Sequence, residues 1–328
     1  MKKNVFYRII SSALAFICVF SLFSCSPLKS TKKERTVIMT VGEYKVPYEV
    51  YYYISKNLES EKLDEKSLKA EAIDMIKEIY AVFSLAEEYG ISFDDKYIKA
   101  NADKAAEQAI EACGGEKEYA NELDKSYLND STYRFLERHN LTAESLLLKI
   151  KDSKEYAMDR KAKLAFANSD ELIRIKQILI TGEGGTAGVD DTYYLTNVEH
   201  TDEQALAIAE EAHKKALAGE DFDKLVSEYG ESLFMFNNTD GYYLCRGMWD
   251  KEAEDAAFAL EIGEISPVIK TDGGYSVLLR CEKSDEYILN NLDEITEDYY
   301  KALYKLLIEE RKGELEVKTN SAYDKYVG

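Results

Sequence analysis

Ser276 is the first residue whose type and position raise a question of chemistry. It lies in residues 271–280, TDGGYSVLLR, where a Gly-Gly pair predicts a turn that leads into a β-strand. Because successive side chains of a strand point to opposite faces, Ser276 shares a face with Leu278 and Arg280. A hydroxyl on a strand face does no chemistry alone, so its role depends on what the fold brings beside it.

The other reactive side chains form none of the short motifs that metal or nucleotide chemistry requires. The sequence contains no HExxH, no paired CxxC and no GxxxxGK[ST]. Its three histidines, His139, His200 and His213, are scattered along the chain. We therefore predict neither a metal site nor a cofactor.

Length and charge narrow the class of protein further. The chain has 328 residues and is 45% hydrophobic, which is enough for two domains or for one domain with a large insertion. Its formal net charge of −20 becomes −23 once Lys2, Lys3 and Arg8 leave with the leader described next. Phosphate contacts need clustered Lys and Arg, so we expect no nucleic-acid partner.

The N-terminal residues predict export and attachment to the cell membrane. A basic start, MKKNVFYR, precedes an uncharged run of fifteen residues, 9–23, which is short for a membrane span of about 20 residues. The run ends in LFSC, which resembles a bacterial lipobox, and so predicts lipidation of Cys25 after loss of residues 1–24. An ordinary secretory signal and an uncleaved anchor are the alternatives. Residues 26–35 carry four basic side chains and predict a flexible tether on the extracytoplasmic face.

Three cysteines, Cys113, Cys245 and Cys281, remain in the exported part of the chain. An odd number without CxxC spacing argues against a disulfide framework. One pair, Cys245 with Cys281, stays open.

Hydrophobic periodicity divides the rest of the chain into a helical part and a mixed part. Residues 36–46 predict a small strand or hairpin. The helices predicted after it cover residues 47–58, 67–89, 94–112, 116–123 and 143–167. After residue 168 the predicted strands are 172–180, 242–246, 268–270 and 275–281, and the predicted helices are 202–217, 221–229 and 251–260. This order fits an α+β domain with helices packed on a small antiparallel sheet.

A last helix is predicted over residues 293–310. It has a broad apolar face that it cannot bury alone. We expect that face to pack on the N-terminal helices, which would make the α+β domain an insertion between two parts of one helical domain.

Residues 173–283 resemble a parvulin-type peptidyl-prolyl isomerase domain. The resemblance is carried, in order, by RIKQILI, ALAGEDFDKLVSEYGES, RGMWDKEAEDAAFALEIGEISPVIKT and GGYSVLLRCEK. The segments TVGEYKVPYEV and AEEYGIS look like the helical part of the PrsA and SurA class of exported foldases. The resemblance implies a signal peptide (1–24), a lipidated cysteine with its tether (25–35), a helical domain (36–168), a rotamase domain (169–286) and a C-terminal helix (287–328).

Parvulins use two core histidines, a polar or thiol residue near them, and an apolar wall for the proline ring. In this chain Gln177 and Ser276 stand where the family has its histidines, and Ser232 stands at the polar or thiol position. The resemblance assigns substrate contacts to six further positions, Leu244, Met248, Trp249, Ala253, Phe258 and Thr271. Trp249 replaces the family's methionine and Ala253 replaces its phenylalanine, whereas Phe258 and Thr271 keep the pattern.

The chemistry implied by the resemblance is rotation about X-Pro bonds, which meets a barrier of about 18–20 kcal/mol. In one interpretation Gln177, Ser232 and Ser276 form a hydrogen-bonded cluster that retains weak isomerase activity. In the other they satisfy one another in the core, and the domain binds chains without catalysis. The loss of both histidines leads us to expect weak or absent catalysis.

The resemblance implies a membrane-anchored foldase whose partners are unfolded exported polypeptides with X-Pro segments. The alternative is a non-catalytic scaffold lipoprotein that serves one dedicated partner.

Overall fold

The computed structural model describes residues 30–61, 63–182, 200–271 and 273–328, apart from the side chains of Leu233 and Asn237. The predicted leader and Cys25 lie outside the described residues. The strands are β1 (Val37–Val41), β2 (Tyr44–Pro47), β3 (Ile173–Thr181), β4 (Tyr242–Leu244), β5 (Ile269–Thr271), β6 (Gly274–Cys281) and β7 (Val317–Thr319). The helices are α1 (Tyr48–Leu58), α2 (Glu65–Glu88), α3 (Lys96–Ala112), α4 (Glu116–Lys125), α5 (Asp130–Lys151), α6 (Arg160–Asn168), α7 (Asp202–Leu217), α8 (Phe222–Tyr229), α9 (Leu233–Asn237), α10 (Lys251–Ala259), α11 (Asp285–Glu314) and α12 (Ser321–Tyr326).

The chain packs as two compact units. The helical unit comprises residues 30–155 and Leu306–Gly328, and the mixed unit comprises Tyr156–Lys305. The bounds of the mixed unit, Tyr156 and Lys305, differ from the domain boundaries predicted at residues 168 and 286. The reason is that Phe166 of α6 and Ile288 of α11 share a buried cluster with Tyr243 of the mixed unit. The predicted α+β class, with a helical part and a small antiparallel sheet, is confirmed.

The helical unit buries aromatic side chains against a three-stranded sheet. In this sheet β1 lies between β2 and β7 and is antiparallel to both. Tyr53, Tyr80, Phe83 and Tyr119 are among the largest fully buried side chains. Of the three adjacent tyrosines of α1, Tyr51 and Tyr53 are core residues and Tyr52 is half-buried.

The helix predicted over residues 143–167 is wrong in its bounds. The observed α5 begins at Asp130, where the Asn129 side chain accepts from the Thr132 N–H, and it ends at Lys151. A separate α6 starts after Asp159, whose carboxylate accepts from the Ala162 N–H. Each new helix start follows a side chain that caps exposed backbone donors, and this outweighs the continuous apolar pattern.

The mixed unit is built on one four-stranded antiparallel sheet in the order β4-β3-β6-β5. One sheet face carries Ile178, Ile180 and Val277, which pack on alanines of α7 and on Leu225 of α8. The opposite face carries Ile175, Leu244 and Leu278, which pack on Ala257 of α10 and on Leu260. The central strand β3 is therefore covered on both faces.

Among the described residues, no helix is both long enough and apolar enough to cross a membrane.

His139 is a buried base in the helical unit. Its ring lies edge-on to Phe83, with the ring centroids 5.8 Å apart, and its Nε2 atom has no hydrogen-bond partner among the described residues. Burial lowers the pKa of His139 from 6.5 to about 4. The folded protein therefore holds this ring neutral at pH values where the unfolded chain protonates it.

We expect acid to destabilise the protein through His139. Between pH 6.5 and about 4 the unfolded state binds one more proton than the folded state, so stability falls as the pH falls through this window. Lowering the pH from 7 to 5 should cost about 2 kcal/mol at this site. Urea unfolding at both pH values should show that His139→Leu removes this part of the loss.

The matched control is His213→Leu, because His213 is a half-buried residue on α7. Burial raises the pKa of Glu137, so the contribution of Glu137 to stability increases as the pH falls, which is opposite in sign to that of His139. This contribution is the same in wild type and in His139→Leu. Equal pH dependence in wild type and His139→Leu would contradict the prediction.

Candidate functional site

The β3–β6 register brings the predicted polar residues to one face of the sheet. Gln177 pairs with Leu278 and Ser276 pairs with Leu179, and directly opposed residues of an antiparallel ladder share a face. Leu244 of β4 and Thr271 of β5 lie on this face as well, from their pairing with Ile173 and Gly274. The candidate site is thus the sheet face that α10 covers.

Gln177 and Ser276 form a hydrogen bond within this face. The Nε2 atom of Gln177 donates to the Oγ atom of Ser276 over 2.9 Å. Both residues are buried, and Ser276 is 0% exposed. An unpaired buried polar group costs about 1–3 kcal/mol of stability. The hydrogen bond between Gln177 and Ser276 therefore offsets the cost of burying their polar groups. The two positions that the resemblance assigns to histidines hold an uncharged pair.

Ser232 belongs to a different hydrogen-bonded pair. It is buried immediately before α9, and its Oγ atom lies 3.2 Å from the hydroxyl of Tyr242 on β4. The hypothesis of one three-residue cluster gives way to two pairs, Gln177 with Ser276 and Ser232 with Tyr242. Tyr242 shares the sheet face of Gln177, since it pairs with Ile175.

Phe234, Tyr242 and Trp249 pack against one another beside Ser232 and form an aromatic layer. Phe234 stacks on Tyr242 with ring centroids 4.1 Å apart at 19°, and Trp249 meets Tyr242 at 80° with centroids 4.9 Å apart. All three side chains are half-buried. The backbone N–H of Trp249 donates to the buried Glu254 carboxylate over 2.8 Å, which fixes the turn before α10.

The remaining predicted contact residues form an apolar wall beside this layer. Met248, Trp249 and Phe258 are half-buried against the cluster that contains Leu244, and Ala253 is buried on α10. The guanidinium of Arg246 lies 4.1 Å from the centre of the Phe258 ring, so that ring is partly covered by a cation. The Thr271 hydroxyl donates to the Gly274 carbonyl over 3.3 Å and holds the turn into β6.

Sequence reasoning missed a second polar cluster next to Ser232. The buried Glu231 carboxylate accepts from the Thr181 N–H over 2.8 Å and from the Thr181 hydroxyl. Its other oxygen lies 2.7 Å from His200 Nε2. The cluster ties the end of β3 to the turn that carries Ser232. Phe234 was also missed, and its local signal in the sequence is the apolar run LFMF that follows YGES.

The cysteines do not add a redox site. In the part of the chain that the structure describes, no disulfide joins Cys113, Cys245 or Cys281. Cys245 follows β4 and Cys281 ends β6, with β3 between them. Two strand spacings put their Cα atoms about 10 Å apart, beyond the roughly 7 Å limit for a disulfide. Burial raises the pKa of Cys245 to about 12, so its thiol stays protonated.

The described residues also contain no group of three or more His, Cys, Asp or Glu side chains arranged to hold a metal ion.

Known proteins that resemble this chain are rotamases and PrsA foldases. Residues 190–282 match the rotamase family described as the PPIC-type PPIASE domain. Ser232 and Ser276 lie within the matched residues and Gln177 lies before them.

Foldase protein PrsA of Geobacillus sp. strain WCH70 is 36% identical over 87 residues, which are 26% of this chain and 32% of that protein. Foldase protein PrsA 3 of Bacillus cereus is 25% identical over 238 residues, which are 62% of this chain and 82% of that protein. A crystal structure of PrsA from Bacillus anthracis is 18% identical, with 72% of this chain and 95% of that chain covered and a TM-score of 0.36. The match spans about a third of the length of the first relatives. The predicted resemblance to parvulin-type, PrsA-like foldases is confirmed.

The Gln177–Ser276 pair gives a prediction about stability. Ser276→Ala leaves a buried amide donor of Gln177 without its acceptor, so we expect a loss of about 1–3 kcal/mol. The double variant Gln177→Leu/Ser276→Ala should lose less than the sum of its two single changes, because it removes both partners. Urea unfolding of the four proteins measures the coupling.

Ser232→Ala is the matched control for this cycle. Its partner Tyr242 is half-buried and can turn its hydroxyl to water, so the loss should be smaller. Strict additivity of the Gln177 and Ser276 changes would refute the pairing.

Proposed function

We propose that this chain is a lipid-anchored extracytoplasmic foldase whose rotamase domain binds proline-containing segments of unfolded exported polypeptides with weak or no isomerase activity. Gln177, Ser232 and Ser276 would be the degenerate catalytic positions. Leu244, Met248, Trp249, Ala253, Phe258 and Thr271 would be the substrate-binding positions. Cys25 would carry the lipid.

The observation that carries this proposal is the buried Gln177–Ser276 hydrogen bond. Lowering the barrier to X-Pro rotation requires polar groups that favour the twisted amide over the planar one. Here the two polar side chains satisfy each other, and neither carries charge. Before either side chain can form a hydrogen bond with a substrate, the hydrogen bond between Gln177 and Ser276 must break.

The aromatic layer supports binding of prolyl segments. Proline-rich chains dock on aromatic-lined surfaces because the ring offers a broad apolar contact at little entropic cost. Half-buried Trp249 and Tyr242, with Phe258 nearby, offer such contacts beside the sheet face. Contacts of this kind grip the proline in either isomer and so leave the rotation barrier in place.

The helical unit supports a holding role for unfolded chains. It contains a cleft of about 330 Å³ whose lining includes the apolar residues Pro47, Val50 and Phe135 and the basic residues Arg134 and Arg138. A shallow surface of mixed character suits loose, sequence-tolerant binding. We assign unfolded exported polypeptides, rather than one folded protein, as its partners.

A protease-coupled assay with X-Pro tetrapeptides tests the catalytic part of the proposal. The chain from Ser26 onward should leave the isomerisation rate within about twofold of the uncatalysed rate, which corresponds to tens to hundreds of seconds. Gln177→His/Ser276→His, which restores the two imidazoles, should accelerate it if the variant keeps its unfolding midpoint. An acceleration of tenfold or more by the wild type would overturn the assignment of weak catalysis.

The single tryptophan allows binding to be measured apart from catalysis. Titration with an X-Pro peptide should change Trp249 emission, because that ring lines the proposed contact surface. The control is the same peptide with alanine in place of proline, and Ala253→Glu should weaken the response by burying a charge in the wall. No response to either peptide would remove the substrate assignment.

Two further measurements separate the foldase from the scaffold alternative and test the anchor. Suppression of aggregation of several unrelated unfolded proteins supports the foldase, whereas tight binding to one folded partner supports the scaffold.

Cys25→Ala should release the protein from the membrane fraction after a salt wash. Retention of Cys25→Ala would instead indicate an uncleaved membrane helix.

A further inference from the structure

Four tyrosines of the helical unit form a continuous row of rings, here called the tyrosine row. Tyr48 lies between Tyr326 and Tyr52, with ring centroids 5.5 Å and 5.9 Å away. Tyr52 in turn meets Tyr127 edge to face, with centroids 6.5 Å apart. Tyr127 is 44% exposed and the other three rings are half-buried. The row therefore brings α1, the end of α4 and α12 to one partly exposed surface.

Lysines lie over these rings. The ammonium of Lys33 is 4.7 Å from the centre of the Tyr48 ring and 5.3 Å from that of Tyr326, and Lys325 lies 5.2 Å from Tyr326. Lys56 lies 5.9 Å from Tyr52 and also pairs with Glu59. Lys33 and Lys325 are exposed, so they stay hydrated while the rings orient them.

Tyr127 holds its ring outward at a conformational cost. Its φ of +59° lies in the left-handed region, just past the end of α4, where a helix usually places glycine. Glycine would adopt this backbone more easily. A tyrosine that is both strained and exposed indicates that its side chain is used.

The surface around the tyrosine row carries basic side chains, although the protein as a whole is acidic. Lys32, Lys33 and Arg35 are exposed in the segment that precedes β1, while the whole chain has a net charge of −20. Lys33 follows Cys25 by eight residues. A chain of that length spans at most about 28 Å, so a lipid on Cys25 would keep the row close to a membrane surface.

We propose that the tyrosine row and its lysines form a membrane-facing surface that lies on anionic lipid headgroups; this inference rests on the lipid anchor proposed above. Tyrosine suits the headgroup region because it has an apolar ring and a polar tip. Lysines beside it are attracted by the negative surface potential. The contact orients the helical unit on the membrane.

Vesicle sedimentation tests this surface without the lipid. The chain from Ser26 onward lacks Cys25 and keeps every described residue. It should bind vesicles with 30% phosphatidylglycerol, bind pure phosphatidylcholine vesicles much less, and lose most binding in 500 mM salt. Lys33→Glu/Lys325→Glu should lower the partition coefficient about 30-fold or more, since each lysine near an anionic surface contributes roughly fivefold.

Lys104→Glu/Lys149→Glu is the matched control, because it makes the same change of charge at two exposed lysines of α3 and α5. It should change the partition coefficient by less than threefold. Equal losses in the two double variants would mean that net charge alone governs binding and would overturn the inference. Absence of binding to anionic vesicles would also overturn it.

A fluorescence readout separates lipid from peptide as the occupant. In Trp249→Phe/Tyr127→Trp the only tryptophan lies in the row, and its emission should shift to the blue with anionic vesicles. A shift with reduced, carboxymethylated α-lactalbumin, an unfolded polypeptide, but not with vesicles would assign the row to clients and overturn the inference. Fractionation of Cys25→Ala reports on the anchor alone, so failure of the anchor and failure of the surface are distinguishable.

Discussion

The antiparallel ladder between β3 and β6 is the interaction on which the candidate site depends. It contains eight residue pairs, from Arg174 with Cys281 to Thr181 with Gly274. A slip of one residue would separate Gln177 from Ser276 and place one of them among the apolar side chains under α7 and α8. Gly274 helps to fix the register, since its φ is +137° and a Cβ there would stand 2.1 Å from the Ile180 carbonyl oxygen. No other residue fits that turn without moving β3.

Much of this ladder could be predicted from the sequence, because strand alternation is a local property. The pattern of RIKQILI and of GYSVLLR predicted both strands, and the face shared by Ser276, Leu278 and Arg280 agrees with the register. The hydrogen-bond partner of Ser232 was not predictable in the same way. It depends on residues 230–241, which contain the five-residue α9 and have no hydrophobic period, and on the position of Tyr242 on the next strand.

Short elements at the C-terminus were missed for a related reason. The strand β7 has three residues and α12 has six, and neither length is stable without tertiary contacts. They form because β7 pairs with β1 and because Tyr323 and Tyr326 pack on the core of the helical unit. A sequence pattern that ends at residue 310 gives no sign of a partner strand located near residue 40. Tertiary contacts also decide which of the three adjacent tyrosines of α1 face the core, so the sequence alone does not predict it.

The energetics of the site limit how much the proposed isomerase activity could amount to. A thousandfold acceleration requires about 4 kcal/mol of preferential stabilisation of the twisted amide. A substrate that recruits the Ser276 hydroxyl leaves Gln177 with an unsatisfied buried donor, which costs about 1–3 kcal/mol. The gain at the transition state must first offset that cost. Contacts of a substrate with Trp249 and Tyr242 would not lower the barrier, because they would stabilise the planar ground state as much as the twisted one.

Net charge does not decide whether such a protein can rest on an anionic membrane. At physiological ionic strength the Debye length is about 8 Å, so acidic side chains farther from the membrane than this are largely screened. Only residues of the contacting surface interact strongly with the headgroups. The segment before β1 and the end of α12 place Lys33 and Lys325 over the same ring, that of Tyr326, although the two lysines are distant in sequence. In the proposed membrane contact, the acidic remainder of the protein would favour this orientation, because acidic surfaces are repelled by anionic headgroups.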